Sequence, residues 1–330
     1  MPQRAAVMPD SGEFTGRTEP FRRELLAHCY RILGSADDAE DVVQETYLRA
    51  WRSYAGFEGR SSVRTWLYRI ATNACLTALE GQGRRALPSG LGAPSDDPAA
   101  PPAEPGPEVR WLQPFPDALV TAESQDPAVI AVSRESLRLA LIASLQYLPA
   151  RQRAVLILRD VLAFPAADVA GMLGTTTTAV KSALQRARAG LERAAPAIDQ
   201  LTEPDGPHAR ELLDQYMAAF QNSDPAALEQ VLRQDAALEP VGTATWFEGR
   251  RTCVAYARQF LGSPGDWRMA ATAANGQPAA AAYLRGPDGV HRAFGIAVLT
   301  ATATGISRIV VFGDPAAVTR FGFPQAWPEG

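Results

Sequence analysis

The spacing of apolar residues predicts three amphipathic helices in the first part of the chain. From Phe21 to Gly34, apolar side chains recur every three or four residues, the period of a helix that buries one face. Gly34 is expected to end this helix and Ser35 to cap the next one, because a serine oxygen accepts a hydrogen bond from a free backbone amide. The apolar stripe predicted for the third helix comprises Trp66, Leu67, Ile70, Ala74, Leu76 and Leu79.

A later segment predicts a helix-turn-helix. Pro165 and Gly174 divide the segment Leu148–Ala195 into three helices, with Gly174 in a left-handed turn and Thr175 or Thr176 as the cap of the last helix. A short helix, a glycine turn and a longer helix are the pattern of a DNA-binding helix-turn-helix. A plain three-helix bundle with a solvated arginine face is the alternative.

The periodicity changes again after residue 206. A helix, a Ser223–Asp224–Pro225 cap, a second helix and a strand are predicted first, then a short strand, a glycine turn and a third helix. Three further strand candidates follow. Turn signals such as Asn275–Gly276 and Thr304–Gly305 separate those strands. Helices followed by an antiparallel sheet predict an α+β cone. The predicted fold class is therefore multidomain, with two all-α domains, the second carrying the helix-turn-helix, and a C-terminal α+β domain.

Composition marks the segments between these domains as linkers. Residues 86–127 contain ten prolines, seven acidic residues and one basic residue, a composition that cannot bury a core. One island, WLQPFPDAL, is too aromatic for a spacer, and Trp111, Phe115, Pro116 and Asp117 are expected to dock on another domain. The expected boundaries are 1–18 for a flexible tail, 19–85 and 131–195 for the helical domains, 86–130 and 196–206 for linkers, 207–324 for the α+β domain and 325–330 for a second tail.

Charge narrows the possible partners. The chain has a net charge of −4, so contact with nucleic acid must come from a local basic patch. Such a patch lies from Arg151 to Arg193, where seven basic residues stand against three acidic ones. The three cysteines are far apart in the sequence, which indicates a reduced, cytoplasmic protein. No metal or cofactor is expected. No apolar run approaches the ~20 residues of a membrane span, so no membrane partner is expected.

The last helix of the predicted helix-turn-helix has an outer face of hydroxyl, amide and cationic groups. Such groups donate to phosphates and to base edges in a major groove. Lys181 is the only lysine in the chain. The candidate DNA-contacting residues are Thr176, Thr177, Thr178, Lys181, Ser182, Gln185, Arg186 and Arg188.

The third predicted helix carries a different combination of groups. Arg64, Arg69 and Asn73 lie close in sequence to Trp66 and Tyr68. Aromatic rings stack on unpaired bases and an amide reads base edges, so this face suits single-stranded nucleic acid. The alternative is that both aromatic residues belong to the core, and for Trp66 the core is favoured.

Three sequence blocks together resemble a known family. The order and spacing of DAEDVVQETYLRAW, WLYRIATNACL and LPARQRAVLILRDVLAF…VAGMLGTTTTAVKSALQRARAGL are similar to those of group 4, extracytoplasmic-function (ECF) sigma factors of the sigma-70 family. The resemblance covers residues 19–195 and implies a promoter-specificity subunit of bacterial RNA polymerase. In that family the first helical domain grips the β′ clamp helices and melts the −10 element. The second reads the −35 element and touches the β flap.

The resemblance assigns roles to residues of this chain. It implies that Asp41, Gln44 and Glu45 bind the polymerase clamp, although a solvated acidic face explains the same residues in isolation. The loop over 54–65 resembles the one that receives a flipped −10 base, and Arg64, Arg69 and Asn73 lie on the helix that reads the −10 element. Thr77, Glu80 and Lys181 depart from the usual family residues, which leaves the promoter sequence open.

The C-terminal part resembles the SnoaL-like, NTF2-like fold over about residues 207–324. Some group 4 sigma factors carry such a domain, and FGFP at 321–324 fits that subgroup. We expect this domain to dock within the chain on the two helical domains and to regulate them.

The fold also occurs in isomerases and hydrolases that use a carboxylate base in an apolar cavity. The polar groups that could serve here are Asp235, Glu239, Tyr283 and His291. They form no recognisable catalytic pair, so no enzyme activity is expected. The alternatives are a helix-turn-helix regulator that acts without polymerase, and a ligand-sensing or enzymatic domain fused to it.

Overall fold

The computed structural model describes residues 11–119, 136–194 and 206–328. These residues divide into two compact units, each with its own core. The first combines the chain up to Arg84 with residues 119–195, and the second combines residues 85–118 with the chain from Pro196 onward.

The first unit consists of two helical domains. The first helical domain contains α1 (Ser11–Thr18), α2 (Arg22–Leu33), α3 (Ala36–Ser53) and α4 (Val63–Ala78). The second helical domain contains α5 (Leu139–Leu145), α6 (Ala150–Leu156), α7 (Ala166–Leu173) and α8 (Thr177–Ala194), with a π-helical turn at Ile157–Val161 after α6.

Helix α2 is the central helix of the first unit. Every residue from Leu25 to Leu33 is buried, because α3, α4 and the helices of the second helical domain pack around it. Gly34 ends α2 in the left-handed conformation at a φ of 67°, and the Ser35 hydroxyl accepts a hydrogen bond of 3.1 Å from the Asp38 amide. The predicted boundary between the first two helices is therefore confirmed.

The buried face of α4 is rotated relative to the predicted one. Leu67, Tyr68 and Cys75 are buried, whereas Trp66 is half-exposed and packs on Phe57 with ring centroids 4.7 Å apart. The placement of Trp66 in the core was therefore wrong. Both Trp66 and Tyr68 fit the helical spacing of apolar residues. Tyr68 is the one that is buried against neighbouring helices.

Residues 11–18 are a helix rather than part of a loose tail. Phe14 is only 7% exposed, and its ring packs edge-on against Trp51 and Tyr54 at 5.1 and 5.2 Å. This ring packing and the hydrogen bonds from Tyr47 OH to Thr18 O and from Tyr54 OH to the Glu13 carboxylate hold the helix in place. The prediction of a flexible tail over residues 1–18 is therefore corrected for residues 11–18. Residues 1–10 lie outside the described residues.

The helix-turn-helix is formed by α7 and α8. Gly174 joins them with a φ of 60°, and the Thr176 hydroxyl accepts a hydrogen bond of 3.1 Å from the Ala179 amide. The buried side of α8 includes Val180 and Ala187. The predicted turn and cap are both confirmed.

The second unit contains a six-stranded sheet and the helices that cover it. Its helices are α9 (Pro207–Gln221), α10 (Pro225–Val231), α11 (Arg250–Arg258) and α12 (Pro315–Arg320). The strands of the sheet are β3 (Leu232–Val241), β4 (Phe247–Glu248), β5 (Trp267–Ala274), β6 (Gln277–Arg285), β7 (His291–Thr302) and β8 (Gly305–Phe312), in the order β4-β3-β8-β7-β6-β5. Within this sheet β3 and β8 pair in parallel, and the other neighbouring strands pair antiparallel.

Helices α9, α10 and α11 share one apolar core with the sheet, which is the arrangement of an NTF2-like cone. The predicted fold class is thus confirmed. Strands β7 and β8 approach each other closely at Gly295, where an added Cβ atom would lie 1.9 Å from the carbonyl oxygen of Phe312. Only glycine permits this approach of the two backbones.

The predicted linker proves to be largely part of the second unit. Residues 85–118, here called the docked segment, include β1 (Arg85–Ala86) and β2 (Arg110–Trp111), which pair in parallel. Its backbone bonds to the loop after β3: the Ser95 amide donates to Trp246 O and the Ala244 amide donates to Ala103 O. Prolines keep their carbonyl acceptors, so a proline-rich segment can still bond to a folded partner.

The chain after residue 324 also joins the sheet. The Ala293 amide donates to Gln325 O, and the Trp327 amide donates to His291 O, both at 2.8 Å. The predicted tail at 325–330 is therefore corrected for its described residues. Within the described ranges, no helix has the length and apolar character to cross a membrane.

Candidate nucleic-acid and polymerase interfaces

Helix α3 presents an acidic stripe to solvent. Asp41 and Gln44 are exposed, and Glu45 is partly exposed and pairs with Arg49 at 2.7 Å. Leu48, one turn further on, is 51% exposed. The spacing i, i+3, i+4, i+7 places these residues on one face, opposite Val42, Val43, Thr46 and Ala50. Leu48 was not singled out from the sequence, although its spacing could have indicated it.

Helix α4 carries the predicted −10 face, and two of its three residues are already engaged. The Arg64 Nε and Nη2 atoms donate to the Glu24 carboxylate at 3.0 Å. Partial burial opposes the charge of Arg64, but its hydrogen bonds to Glu24 hold its pKa above the usual value. Asn73 Nδ2 donates to Arg69 O at 2.7 Å and to Met172 O of the second helical domain at 3.0 Å.

Arg69 differs from its two neighbours. Its side chain is exposed, and within the described ranges its guanidinium has no hydrogen bond or ion pair. Of the three predicted residues on α4, it is the one whose charge is available to a partner in this conformation.

The loop between α3 and α4 holds a small aromatic cluster. Phe57 and Trp66 are half-buried, and Tyr54 lies beside Trp66 with centroids 6.3 Å apart. Gly59 turns the loop at a φ of 69°. The cluster places apolar ring surface next to the predicted base-receiving loop.

Helix α8 displays most of its predicted DNA-contacting residues. The side chains of Thr176, Thr177, Thr178, Lys181, Gln185, Arg186 and Arg188 are exposed, and Ser182 is half-exposed. Arg188 is nonetheless paired: its Nε and Nη2 atoms donate to Asp160 at 2.9 and 2.7 Å. That hydrogen bond raises the pKa of Arg188. Arg186 has no such partner among the described residues.

A buried arginine holds the two helical domains together. Arg153 on α6 is 4% exposed and donates to the carbonyls of Ile32 on α2, Gln146 and Leu148. Burial lowers its pKa to about 10. Sequence reasoning missed this residue, and its only signal is an arginine directly before the apolar run 154–158.

Three of the four island residues lie against the turn between β5 and β6. The Phe115 amide donates to Asn275 Oδ1 and the Asn275 amide donates to Phe115 O, both at 2.9 Å. Asp117 accepts from the Gly276 amide at 2.8 Å, and Pro116 forms a bridge with Ala274. Trp111 lies in β2 and is half-buried. The island is thus positioned by a hairpin of the α+β domain.

The polar candidates of the α+β domain are not assembled into one site. Asp235 is exposed and pairs with Arg233, whereas Glu239 is fully buried and bonded to Arg308 and the Ser89 amide. Tyr283 and His291 each form a hydrogen bond of 2.8 Å with a backbone carbonyl oxygen, that of Pro324 and that of Gly265 respectively. No group of three or more potential metal ligands occurs in the described part of the chain.

Comparison with known proteins assigns the family. A model described as Sigma-70 region 2 matches residues 18–85, and one described as Sigma-70, region 4 matches residues 138–191. The ECF RNA polymerase sigma factor SigG of Mycobacterium tuberculosis is 51% identical over 318 residues, which are 96% of this chain and 85% of that protein. The chain belongs to the ECF sigma factors. Its partners are therefore RNA polymerase and promoter DNA, as the sequence predicted.

Two further similarities concern SigJ of Mycobacterium tuberculosis. This ECF sigma factor is 31% identical to SigJ over 219 residues, which are 66% of this chain and 61% of SigJ. The crystal structure of SigJ matches with a TM-score of 0.59 at 23% identity, covering 96% of this chain and 100% of that chain. The second comparison shows a shared fold. Sigma factors are initiation factors and not enzymes.

Proposed function

We propose that this ECF sigma factor binds the β′ clamp helices of core polymerase through the clamp face, defined as Asp41, Gln44, Glu45 and Leu48. The exposure of an apolar side chain among acidic and amide groups supports this role. Such a face suits a partner with an apolar centre and a basic rim, because burying Leu48 adds affinity while the charges select the partner.

The −10 element is assigned to α4 and the loop before it. Arg69 supplies an accessible charge, and the half-buried rings of Phe57 and Trp66 supply surface on which an unpaired base can stack. Arg64 and Asn73 complete this face once their present partners are released.

The −35 element is assigned to α8 in a major groove. Its exposed threonines stand at the start of the helix, where hydroxyl and backbone donors meet phosphates, and Lys181, Gln185 and Arg186 follow along the same helix. The β flap is assigned to the same helical domain on family resemblance alone.

The C-terminal domain is proposed to regulate by holding the docked segment. This segment follows the first helical domain in sequence and precedes the second, and its β1–β2 pairing sets Arg85 opposite Arg110. Paired strands are about 5 Å apart, whereas 26 extended residues would span about 90 Å. Docking therefore removes most of the reach that the segment could give to the two DNA-binding domains.

One observation carries the proposal. An acidic, partly apolar face and a cationic helix-turn-helix face lie on two domains that match different sigma regions. A regulator that acts without polymerase has no use for the first of these faces.

Transcription in vitro with bacterial core polymerase tests both faces. The triple variant Asp41→Lys, Gln44→Lys, Glu45→Lys should weaken core binding at least tenfold, because reversed charges repel a basic rim. The variant Arg186→Glu should leave core binding intact and abolish binding to −35 duplex DNA. Arg258→Glu, an exposed charge reversal on α11 of the α+β domain, is the matched control and should retain both activities.

Arg188→Glu adds a finer test of the α8 assignment. Because Arg188 is already paired with Asp160, its loss should weaken DNA binding less than loss of Arg186. The number of ions released on DNA binding, obtained from the salt dependence of the affinity, should fall by about one for Arg186→Glu. Promoter-specific transcription by the Arg186→Glu variant at the native rate would show that α8 does not read the −35 element.

A further inference from the structure

Helix α4 meets an aromatic residue of the second helical domain on its predicted DNA-reading face. Phe164, between α6 and α7, is 5% exposed, and its ring centroid lies 5.0 Å from that of Tyr68. The Arg64 guanidinium carbon lies 4.7 Å from the centroid of Phe164 and 4.9 Å from that of Tyr68. One guanidinium group thus contacts both rings, in an arrangement that favours cation–π attraction.

A second contact lies further along the same helix. Asn73 donates from its side-chain amide to the carbonyl oxygen of Met172 on α7 at 3.0 Å. Arg64 and Asn73 are nine residues apart, which is about 13 Å along an α-helix. The second helical domain therefore contacts two of the three predicted −10 residues of α4.

The backbone that presents Phe164 is unusual. The π-helical turn at Ile157–Val161 follows α6, and Ala163 has a φ of 54°, in the left-handed region that alanine seldom adopts. The guanidinium of Arg159 closes the turn by donating to the carbonyl oxygen of Phe164. These features direct Phe164 toward α4 instead of continuing the helix.

We infer that Phe164 is an internal ligand of the −10 face and competes with an unpaired base for the site formed by Arg64 and Tyr68. Aromatic side chains and arginine guanidinium groups are the surfaces on which proteins stack unpaired bases, and the ring of Phe164 lies against one of each. Asn73, which an unpaired base could use as a donor, is occupied by Met172 O in the same conformation. The inference rests on the proposed −10 role of α4 and adds that the chain itself covers that face.

The consequence is a link between the two DNA-binding domains. Single-stranded DNA can occupy the face only when the second helical domain has moved away. The apparent affinity for single strands is reduced by the fraction of molecules in the open form, so weakening the Phe164 contact should raise it.

Binding of a single strand to the full-length protein tests the competition. The probe is a fluorescein-labelled twelve-nucleotide strand of random sequence, followed by anisotropy at one fixed salt concentration, since stacking tolerates any base. Phe164→Ala should bind this strand about tenfold more tightly than the native chain. The matched control is Val180→Ala, a buried apolar truncation on α8, which should bind like the native chain. An equal gain in Val180→Ala would overturn the inference, because it would indicate general loosening.

Arg69→Glu separates this inference from the proposed function on which it rests. In the Phe164→Ala background it should cancel the gain, because it reverses an exposed positive charge on the same helix that attracts the phosphates of the strand. If Phe164→Ala binds like the native chain while Arg69→Glu still weakens binding, the competition is wrong and the −10 role of α4 stands. If neither variant changes binding, both are wrong.

A measurement without substitution at Phe164 covers the case of a poorly folded variant. Dyes on Arg52→Cys and Ala189→Cys, both at exposed positions, report the separation of α3 and α8, and the native cysteines are buried. Saturation with the unlabelled random strand should lower energy transfer between the dyes. Unchanged transfer at saturation would show that the face is not covered in the way inferred.

Discussion

A single buried histidine gives the first helical domain a dependence on pH. His28 on α2 is inaccessible to solvent, and its Nε2 atom lies 2.9 Å from the hydroxyl of Thr72 on α4. Burial, together with the nearby positive charges of Arg31 and Arg64, lowers the pKa of His28 from 6.5 to about 3. The ring is therefore neutral in the folded protein at all moderately acidic pH values.

Lowering the pH should destabilise the fold through this residue. Below pH 6.5 the unfolded chain takes up a proton on His28, whereas the folded chain does not until about pH 3, so stability is greatest above pH 6.5 and falls toward pH 3. From pH 7 to pH 5 the loss is about 2 kcal/mol of unfolding free energy. Urea unfolding of the native chain and of His28→Gln, at both pH values, measures it. The variant should show a change smaller by that amount, and equal pH slopes would contradict the assignment.

At the same scale, sequence reasoning found the polar residues of the interfaces but not their partners. Arg64, Asn73 and Arg188 were identified by chemical type, yet each bonds to a residue 28 to 99 positions away. Side-chain pairing over such separations depends on how helices meet, which no local period encodes. The choice of Tyr68 over Trp66 as the buried ring is the same kind of tertiary decision.

Among the elements, the docked segment departs most from its predicted form. The helices of the first unit and the turn at Gly174 follow from periodicity and caps within a few residues, and these were predicted well. The docked segment is held instead by hydrogen bonds to residues about 140 to 160 positions away. Its proline content correctly excludes a helix or a wide sheet, but gives no signal of the surface on which it lies.

Asp117 tests how firmly that segment is held. Its carboxylate is 9% exposed and accepts the Gly276 amide, so Asp117→Ala leaves a buried donor without its partner. The expected cost is about 1–3 kcal/mol. Hydrogen exchange should become faster in residues 110–118 of the variant.

The matched control is Asp97→Ala, in the same segment. Asp97 is exposed and accepts only a local bond of 2.9 Å from the Ala99 amide, so its loss should leave exchange near residue 115 unchanged. Similar exchange in both variants would show that Asp117 does not anchor the segment.

For the whole molecule, the regulation proposed for the C-terminal domain depends on the same segment. Leu112 and Phe115 are at most 1% exposed within the second unit. Removing the α+β domain therefore does two things at once: it frees the segment to extend, and it exposes apolar side chains that were covered. A simple truncation therefore has two effects at once: the segment can reach further, and its exposed apolar side chains promote aggregation.

A truncation with two further substitutions separates these effects. The chain ending at Gln200 should bind hydrophobic dyes and self-associate, whereas the same truncation with Leu112→Ser and Phe115→Ser should remain monomeric in sedimentation. Because the freed segment can span about 90 Å when extended, this monomeric form should differ from the full-length factor in transcription with core polymerase. A change in the spacing between the −35 and −10 elements should also lower the transcription rate of this form less than the rate of the full-length factor. Identical rates and identical spacing preference at equal folded concentration would mean that the docked segment does not limit reach, and that the C-terminal domain does not regulate through it.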